Sequence, residues 1–540
     1  MTRRGLLTGL VTLAAMLPVG LPTTAAAVAP PSPTCIPRSA SIPQGPAVLL
    51  HTATVPNQAG RVADLTFQSP ALNAQTHVYV MLPAGYDPSG HTRYPVLYLL
   101  HGADGWYHDW VDHGVRTVID QATAAGHLPP FITVMPDGGL FGYYVDWYGT
   151  DVDGHSPNPP PAWETYHVHE LIPWIDAHYP TIKDRSGRAV AGLSMGGFGA
   201  MTYAAKHPDL FTTAGSFSGA VDSDYQYPYA NTVLTAASPA FTQGAPDTCM
   251  FGDPLTQQFH WQAADPTYLA PNLAGLSLFQ ASGNGNAGPY DDPNNQPAEG
   301  AQSSVEQFVY PMNTAFDATL TANNIPHSTY FYGAGTHAWP YWLRDLQHYL
   351  PQMTAAFGTQ PAVAPATAFS YRSGALAFSV WGWDFSTDRG TPEFLYLERV
   401  GRAGLEASGS GTVGVTTAAL YAPGSAAVVA QGAVSHTITA DAAGRLHFTI
   451  DLGPAHPVQQ TDFSATANSS WVHAAVTIQA LAHADAATGP GAEPTTASRS
   501  GLPPTSAAAP AALLAAFALL VLAIAAVVLG FRPGRRGAAR

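Results

Sequence analysis

Between residues 95 and 332 the chain repeats one pattern: a short unbroken apolar run, a stop at glycine or a polar residue, then a longer stretch. The runs lie at 95–100, 131–135 and 189–193, and 211–216, 276–281 and 327–332 are later, less apolar candidates. Strands of this kind meet water on neither face, so the pattern predicts a parallel sheet covered on both sides by helices. Residues 163–178 supply one such helix, with Tyr166, Leu171, Trp174, Ile175 and His178 near helical spacing and Pro180 closing it. Upstream, 61–68 and 76–82 alternate apolar and polar residues and predict an antiparallel pair. Residues 149–161, rich in Pro and Asp, and 222–266, without clear periodicity, read as insertions that shape a cleft.

The chain has 540 residues, more than one domain needs. Residues 1–29 read as an export signal, with Arg3-Arg4, an apolar stretch and small residues around Ala25–Ala27, so export is expected by the general or twin-arginine route. Residues 30–60 are Pro-rich and read as an extended lead-in, and 61–358 as the α/β domain. From 366 to 481 short alternating runs punctuated by Gly, Pro and Asn predict an all-β, sandwich-like domain. Residues 482–506 read as an Ala/Pro/Thr-rich stalk, 507–531 as a transmembrane helix, and 532–540 as a basic cytoplasmic tail. Leu502-Pro503-Pro504-Thr505-Ser506 resembles a sortase signal with Ser506 in place of Gly, which leaves a plain membrane anchor or attachment to the cell wall as alternatives.

The balance of 21 Lys+Arg against 36 Asp+Glu excludes a nucleic-acid partner, which needs clustered cations. Cys35 and Cys249, the two cysteines, can form at most one disulfide and no cysteine metal site. Asp151 and Asp153 sit in a short loop whose spacing does not complete a calcium motif, so it reads as a solvated acidic loop. No cofactor or metal is expected.

The third apolar run ends in Gly192-Leu193-Ser194-Met195-Gly196 and is followed by the helical-looking 197–206. Between a strand and a helix, Gly-x-Ser-x-Gly lifts a serine Oγ out of the sheet on a crowded turn, as in α/β-hydrolases. Ser194 is the candidate nucleophile. In this chain order the base follows, and His337 stands just past the last strand, whereas His327 precedes that strand and reads as a packing histidine. The exit at Ser282-Gly283-Asn284-Gly285 carries no carboxylate. On pattern alone Asp292 and Glu306 are equal candidates for the acid, with Asp291 beside them.

The ordered segments from about Ala63 to Leu350 resemble the putative-esterase group of α/β-hydrolases, and within it the mycobacterial-type mycolyltransferases. The segments are Tyr98-Leu99-Leu100-His101-Gly102, Tyr144-Val145-Asp146-Trp147-Tyr148, Gly192-Leu193-Ser194-Met195-Gly196-Gly197, Glu306-Gln307-Phe308-Val309 and Gly335-Thr336-His337-Ala338-Trp339. The resemblance implies that Glu306 is the acid and that the Ala103 and Met195 N–H groups form the oxyanion hole. It also implies an acyl-enzyme that water or a sugar hydroxyl resolves. Mycolyltransferases carry Asp-Gly-Leu-Arg where this chain has His101-Gly102-Ala103-Asp104, so a carboxylesterase ranks above an acyltransferase.

The partners expected are an acyl ester, a possible sugar acceptor and the cell membrane. His101, Asp104, Trp147 and Trp339 are candidate substrate contacts. Trp106, Tyr107, Trp110, Tyr143, Tyr144, Trp147 and Tyr148 divide between cleft and core in a way the sequence does not sort. Trp381, Trp383 and Trp471 read as core of the β domain rather than as a glycan platform. The contrasting reading is an inactive surface adhesion or glycan-binding protein on a hydrolase scaffold.

Overall fold

The computed structural model describes residues 35–481 apart from 127, 155, 242–248, 293–295, 359–367 and 462–470. The export signal, the stalk, the stretch 507–531 and the basic tail lie outside the described residues. Among the described residues no helix is long and apolar enough to cross a membrane.

Nine strands form the central sheet: β2 (Val48–Thr54), β3 (Val62–Ser69), β4 (Ala74–Met81), β5 (Val96–Leu100), β6 (Ile132–Pro136), β8 (Arg188–Leu193), β9 (Thr213–Phe217), β10 (Ser277–Ser282) and β11 (His327–Phe331). A separate ribbon pairs β1 (Cys35–Pro37) with β7 (Gly149–Asp151). The order in the sheet is β11-β10-β9-β8-β5-β6-β4-β3-β2. From β6 to β11 all ladders are parallel, while β4 joins β6 antiparallel and leads to the antiparallel β3 and β2. The sheet is therefore mixed, with its parallel part where the unbroken apolar runs lie. β5, β6, β8 and β9 are buried at every residue, whereas β3 alternates. That contrast follows from two covered faces against one.

Alternate side chains of one strand feed two cores. Val96, Tyr98 and Leu100 join the cluster that takes in Phe198, Met201 and Ala205 of the helix Met195–Lys206. Leu97 and Leu99 join the opposite cluster with Leu346, Tyr349 and Met353 of the helix Trp339–Ala356. The segment 163–178 is helical, but Tyr166–Leu171 is wound as a π-helix between two α-helical ends.

The lead-in at 30–60 is a correction. It holds two strands, β1 and β2, rather than an extended arm. β1 is tied to the first insertion through β7, and Cys35 is disulfide-bonded to Cys249 in the second. Alternation is weak in β2 because nearly all of it is exposed, so no apolar pattern marks it.

The C-terminal part holds two antiparallel sheets, of six and four strands, sharing one apolar cluster around Trp383, Leu397, Val413 and Ile450. It docks on the hydrolase part through buried Phe394, 5.0 Å from the Phe259 ring, and through polar contacts. Tyr371 donates to the Lys206 carbonyl at 2.7 Å, Asn272 and Arg372 exchange two bonds, and the Tyr268 and Tyr396 hydroxyls meet at 2.7 Å. Trp381 is buried under the Arg185 guanidinium, 5.0 Å from its ring, and Trp383 is core. Neither forms an exposed platform. Trp471 is half-buried against Tyr396.

Beneath this junction, buried Glu164 accepts from Lys206 Nζ and from His207 Nε2. Burial alone would raise its carboxyl, but Lys206 and His207 outweigh that and hold it at about 2. Because the folded value lies below the unfolded one, this contribution is present above the unfolded value and is lost as pH falls through the folded one. Glu164→Gln is therefore expected to lower the thermal midpoint at pH 7, with a deficit that shrinks as the buffer is taken below about pH 4. An equal deficit across that range would exclude the ion pair as its source.

Candidate active site

β8 ends at Leu193 and a helix starts at Met195, so Ser194 alone carries the reversal. It does so at φ 53° and ψ −120°, a conformation that residues with a Cβ avoid. Packing enforces it. A Cβ on Gly192 would lie 2.4 Å from the Gly196 carbonyl oxygen, and one on Gly196 would lie 2.5 Å from that of His101. The glycines of the motif thus mark where β8, the exit of β5 and the helix touch.

His337 lies on the loop after β11. Its Nε2 is 2.8 Å from Ser194 Oγ and its Nδ1 is 2.6 Å from Glu306 Oε2. With a carboxylate on one side, Nδ1–H donates to it and Nε2 is left to accept from the serine. Glu306 reaches in from the helix Gln296–Ala322 and is fully buried. Its Oε1 accepts from Ser218 Oγ, Ser282 Oγ and Gly283 N–H, each at 2.8 Å. Four donors in all offset the loss of water around this carboxylate. The exit of β10, which lacks an acid of its own, instead supplies two of the donors.

The other candidates lie elsewhere. Asp291 accepts from Thr336 Oγ1, Tyr341 Oη and Gly288 N–H, so it braces the loop that carries His337. Asp292 is exposed, and the Nδ1 position it would need is taken by Glu306. His327 is anchored by Asp317 and the Ile325 carbonyl.

The exit of β5 runs against Ser194: a Cβ on Gly102 would sit 3.3 Å from Ser194 Cβ. Ala103 follows. Met195 is the first helical residue, so its N–H has no intrahelical acceptor and lies at the positive end of the helix. Among the described residues neither N–H has a backbone acceptor.

Two of the four candidate substrate contacts are corrected. His101 is 1% exposed; its Nδ1–H donates to the Gly102 carbonyl and its Nε2 accepts from Gly138 N–H. It holds the loop from below. Trp147 is buried, its Nε1 donating to the Gly142 carbonyl at 3.1 Å. Asp104 is exposed, and Trp339 is half-buried with His113 stacked on it at 3.9 Å. Of the aromatic group, Trp110, Tyr143, Tyr144 and Trp147 are core, while Trp106, Tyr107 and Tyr148 reach the surface. Tyr144 Oη donates to the His101 carbonyl.

Ser218 carries no signal in the sequence, and Asp291, a candidate acid there, braces the His337 loop instead. Ser218 follows β9 at φ 50° and marks no motif, so only the fold brings it to Glu306. The Asp151 carboxylate accepts from Ser156 N–H, Ser156 Oγ and Asp153 N–H, so its own loop satisfies it. His108, Asp109 and Asp112 bring three possible ligand atoms within 4.8 Å, but His108 already pairs with Asp112 and Asp109 accepts from Trp106 N–H.

A serine Oγ on such an imidazole, backed by a buried carboxylate, can lose its proton as it attacks an electrophile. The fold, a mixed sheet with the serine turn at the carboxyl end of a central strand, is α/β-hydrolase-like, with extra β-sheets in its C-terminal part. The family model of the putative esterases matches residues 69–353, and the chain belongs to that family. Esterase Rv1288 of Mycobacterium tuberculosis is 34% identical over 268 residues, covering 49% of this chain and 53% of its own, so the match spans about half of that relative. The diacylglycerol acyltransferase/mycolyltransferase Ag85A of the same species is 30% identical over 294 residues, covering 52% of this chain and 78% of its own. The solved structure of Mycobacterium tuberculosis MPT51 (FbpC1) aligns at a TM-score of 0.41 and 22% identity, covering 57% of this chain and 99% of its own.

Ser218→Ala and Ser282→Ala each remove one bond to a buried charged group, a loss of about 1.5–3 kcal/mol. Urea unfolding is expected to show each loss, because Glu306 Oε1 keeps fewer donors. Midpoints unchanged in both variants would show that these hydroxyls do not support the carboxylate.

Proposed function

We propose that this chain is an exported serine carboxylesterase that acts through an acyl-enzyme at Ser194. The observation that carries this reading is the continuous hydrogen-bond chain from Ser194 through His337 to Glu306. Ser194 Oγ attacks the ester carbonyl carbon while its proton passes to His337 Nε2. Glu306 orients the ring and stabilises the imidazolium. The Ala103 and Met195 N–H groups donate to the oxyanion, at about 3–4 kcal/mol for a single such donor. The leaving alcohol takes the proton from His337, and water reverses the sequence to release the acid. Asp104 and Trp339 are the contacts proposed for substrate at the rim.

Hydrolysis is favoured over transfer by His101-Gly102-Ala103-Asp104, which replaces the Asp-Gly-Leu-Arg of mycolyltransferases. Acyl transfer to a sugar hydroxyl is the second reading, supported by the similarity to a mycolyltransferase over 78% of that protein. An inactive adhesion or glycan-binding protein is disfavoured by the intact hydrogen-bond chain. Export is supported by the Cys35–Cys249 disulfide, which an oxidising compartment maintains, and by the signal-like residues 1–29. The apolar stretch 507–531 and the arginines after it support a C-terminal tether to the membrane or wall. Mass spectrometry of surface-released protein tests the tether: a C-terminus at Thr505 would replace the membrane anchor with sortase attachment.

The protein is expected to hydrolyse short p-nitrophenyl esters, and Ser194→Ala to lower the rate by about 10⁴-fold or more. Wild type but not the variant should be labelled by a fluorophosphonate probe. Turnover that survives in the variant would overturn the mechanism. With an acyl ester and trehalose together, free acid should exceed transferred ester; the opposite ratio would establish the transferase reading.

A further inference from the structure

A cavity of about 1090 Å³ lies between the hydrolase part and the C-terminal sheets, and none of Ser194, His337 and Glu306 lines it. Ligand sites of this size concentrate at such junctions. One wall carries Tyr148 and His260, whose rings meet at 4.6 Å, and the other carries Phe378 and Phe448. All four are half-buried.

The charges of the lining are spoken for within the protein. Lys206 and His207 serve Glu164, Asp384 pairs with Arg445, and Asp146 accepts from the Thr165 N–H and hydroxyl. His447 pairs with Asp441. Burial pushes the His260 imidazole down to about 4, which leaves it neutral. His169 is exposed in the lining, and burial holds it below the ordinary histidine value; Arg38 acts on Asp146 as well, so neither an anionic nor a cationic ligand is favoured by the charges named. A purely apolar chain would strand the polar groups of the lining away from water, which costs free energy. Ser386 and Thr449 also present exposed hydroxyls to the space.

Aromatic side chains on both walls, neutral hydrogen-bonding groups among them and charges largely engaged within the protein suit a ring with an apolar face and a hydroxylated edge. We propose that this junction cleft binds an uncharged oligosaccharide. Such a site would hold the protein on a glycan while the chemistry proceeds elsewhere, and it does not rest on the reading of Ser194.

Isothermal titration of the full chain tests it, with cellotriose, maltotriose and xylotriose as probes and trigalacturonate and decanoate as charged and apolar comparators. At least one neutral trisaccharide is expected to bind with a single-site isotherm, and equally well to Ser194→Ala. Phe448→Ala, and separately Thr449→Trp at an exposed position, should each weaken binding by about tenfold or more. Hydrolysis of p-nitrophenyl esters should be unchanged in both. Thermal midpoints identify a variant that fails to fold, and the other then decides. Any of four results would overturn the proposal: no binding of the neutral sugars, equal or tighter binding of a comparator, affinity unchanged in a folded cleft variant, or binding lost in Ser194→Ala. If esterase activity is absent but the sugar binds, the reading of Ser194 fails and this one stands.

Discussion

The site depends on one close approach, that of the Gly196 backbone to the end of β5. A side chain at 196 would collide with the carbonyls of His101 and Leu100, so helix and strand can meet only across glycine. The contact forces Ser194 into its positive φ, a conformation that costs on the order of 1–3 kcal/mol and persists only where the surroundings over-determine it. They do so here. The helix behind Ser194 is buried on all sides, and β5 and β8 are buried at every residue. The same approach brings the Gly102–Ala103 loop against the serine. His101 below that loop and the bond from Asp104 N–H to the Leu140 carbonyl then fix its path.

The second constraint is a buried charge. Glu306 has no exposure, and an ionised carboxylate there is tolerable only with its oxygens fully bonded. The donors come from three separate exits of the parallel strands: Ser218 after β9, Ser282-Gly283 at the end of β10, and His337 after β11. Parallel strands place all their exits at one edge of the sheet, which is why residues 143 positions apart can share one hydrogen bond. An acid on a helix replaces an acid on a strand exit without changing what the imidazole meets.

The C-terminal sheets are joined to this framework by buried Phe394, which packs on Phe259 and Tyr268, and by polar contacts around it. Glu164, Lys206 and His207 form the buried ionic element beneath the junction, and Tyr371 adds a bond from the sheet side to the Lys206 carbonyl. The cleft lies beside these contacts, between the hydrolase part and the C-terminal sheets.

Much of this was legible in the residues themselves. The runs at 95–100, 131–135, 189–193, 211–216 and 276–281 locate strands that are almost wholly buried, whereas β11, at the sheet edge, is exposed or half-buried throughout and its run is half polar. Glycines at 192 and 196 around Ser194 signal the turn, because their need is steric and local. β2 was not legible, since an exposed edge strand obeys no burial pattern, and neither was the π-helical winding of Tyr166–Leu171. The residues alone left Asp292 level with Glu306, and they held His101 and Trp147 as substrate contacts that folding buries. The sequence by itself determined which residues can do chemistry and which must be covered, for both follow from a side chain and its near neighbours. Only the tertiary structure decided which carboxylate faces His337, which serines hold it and where open space remains, because those depend on strand exits far apart in the chain meeting at one edge of the sheet.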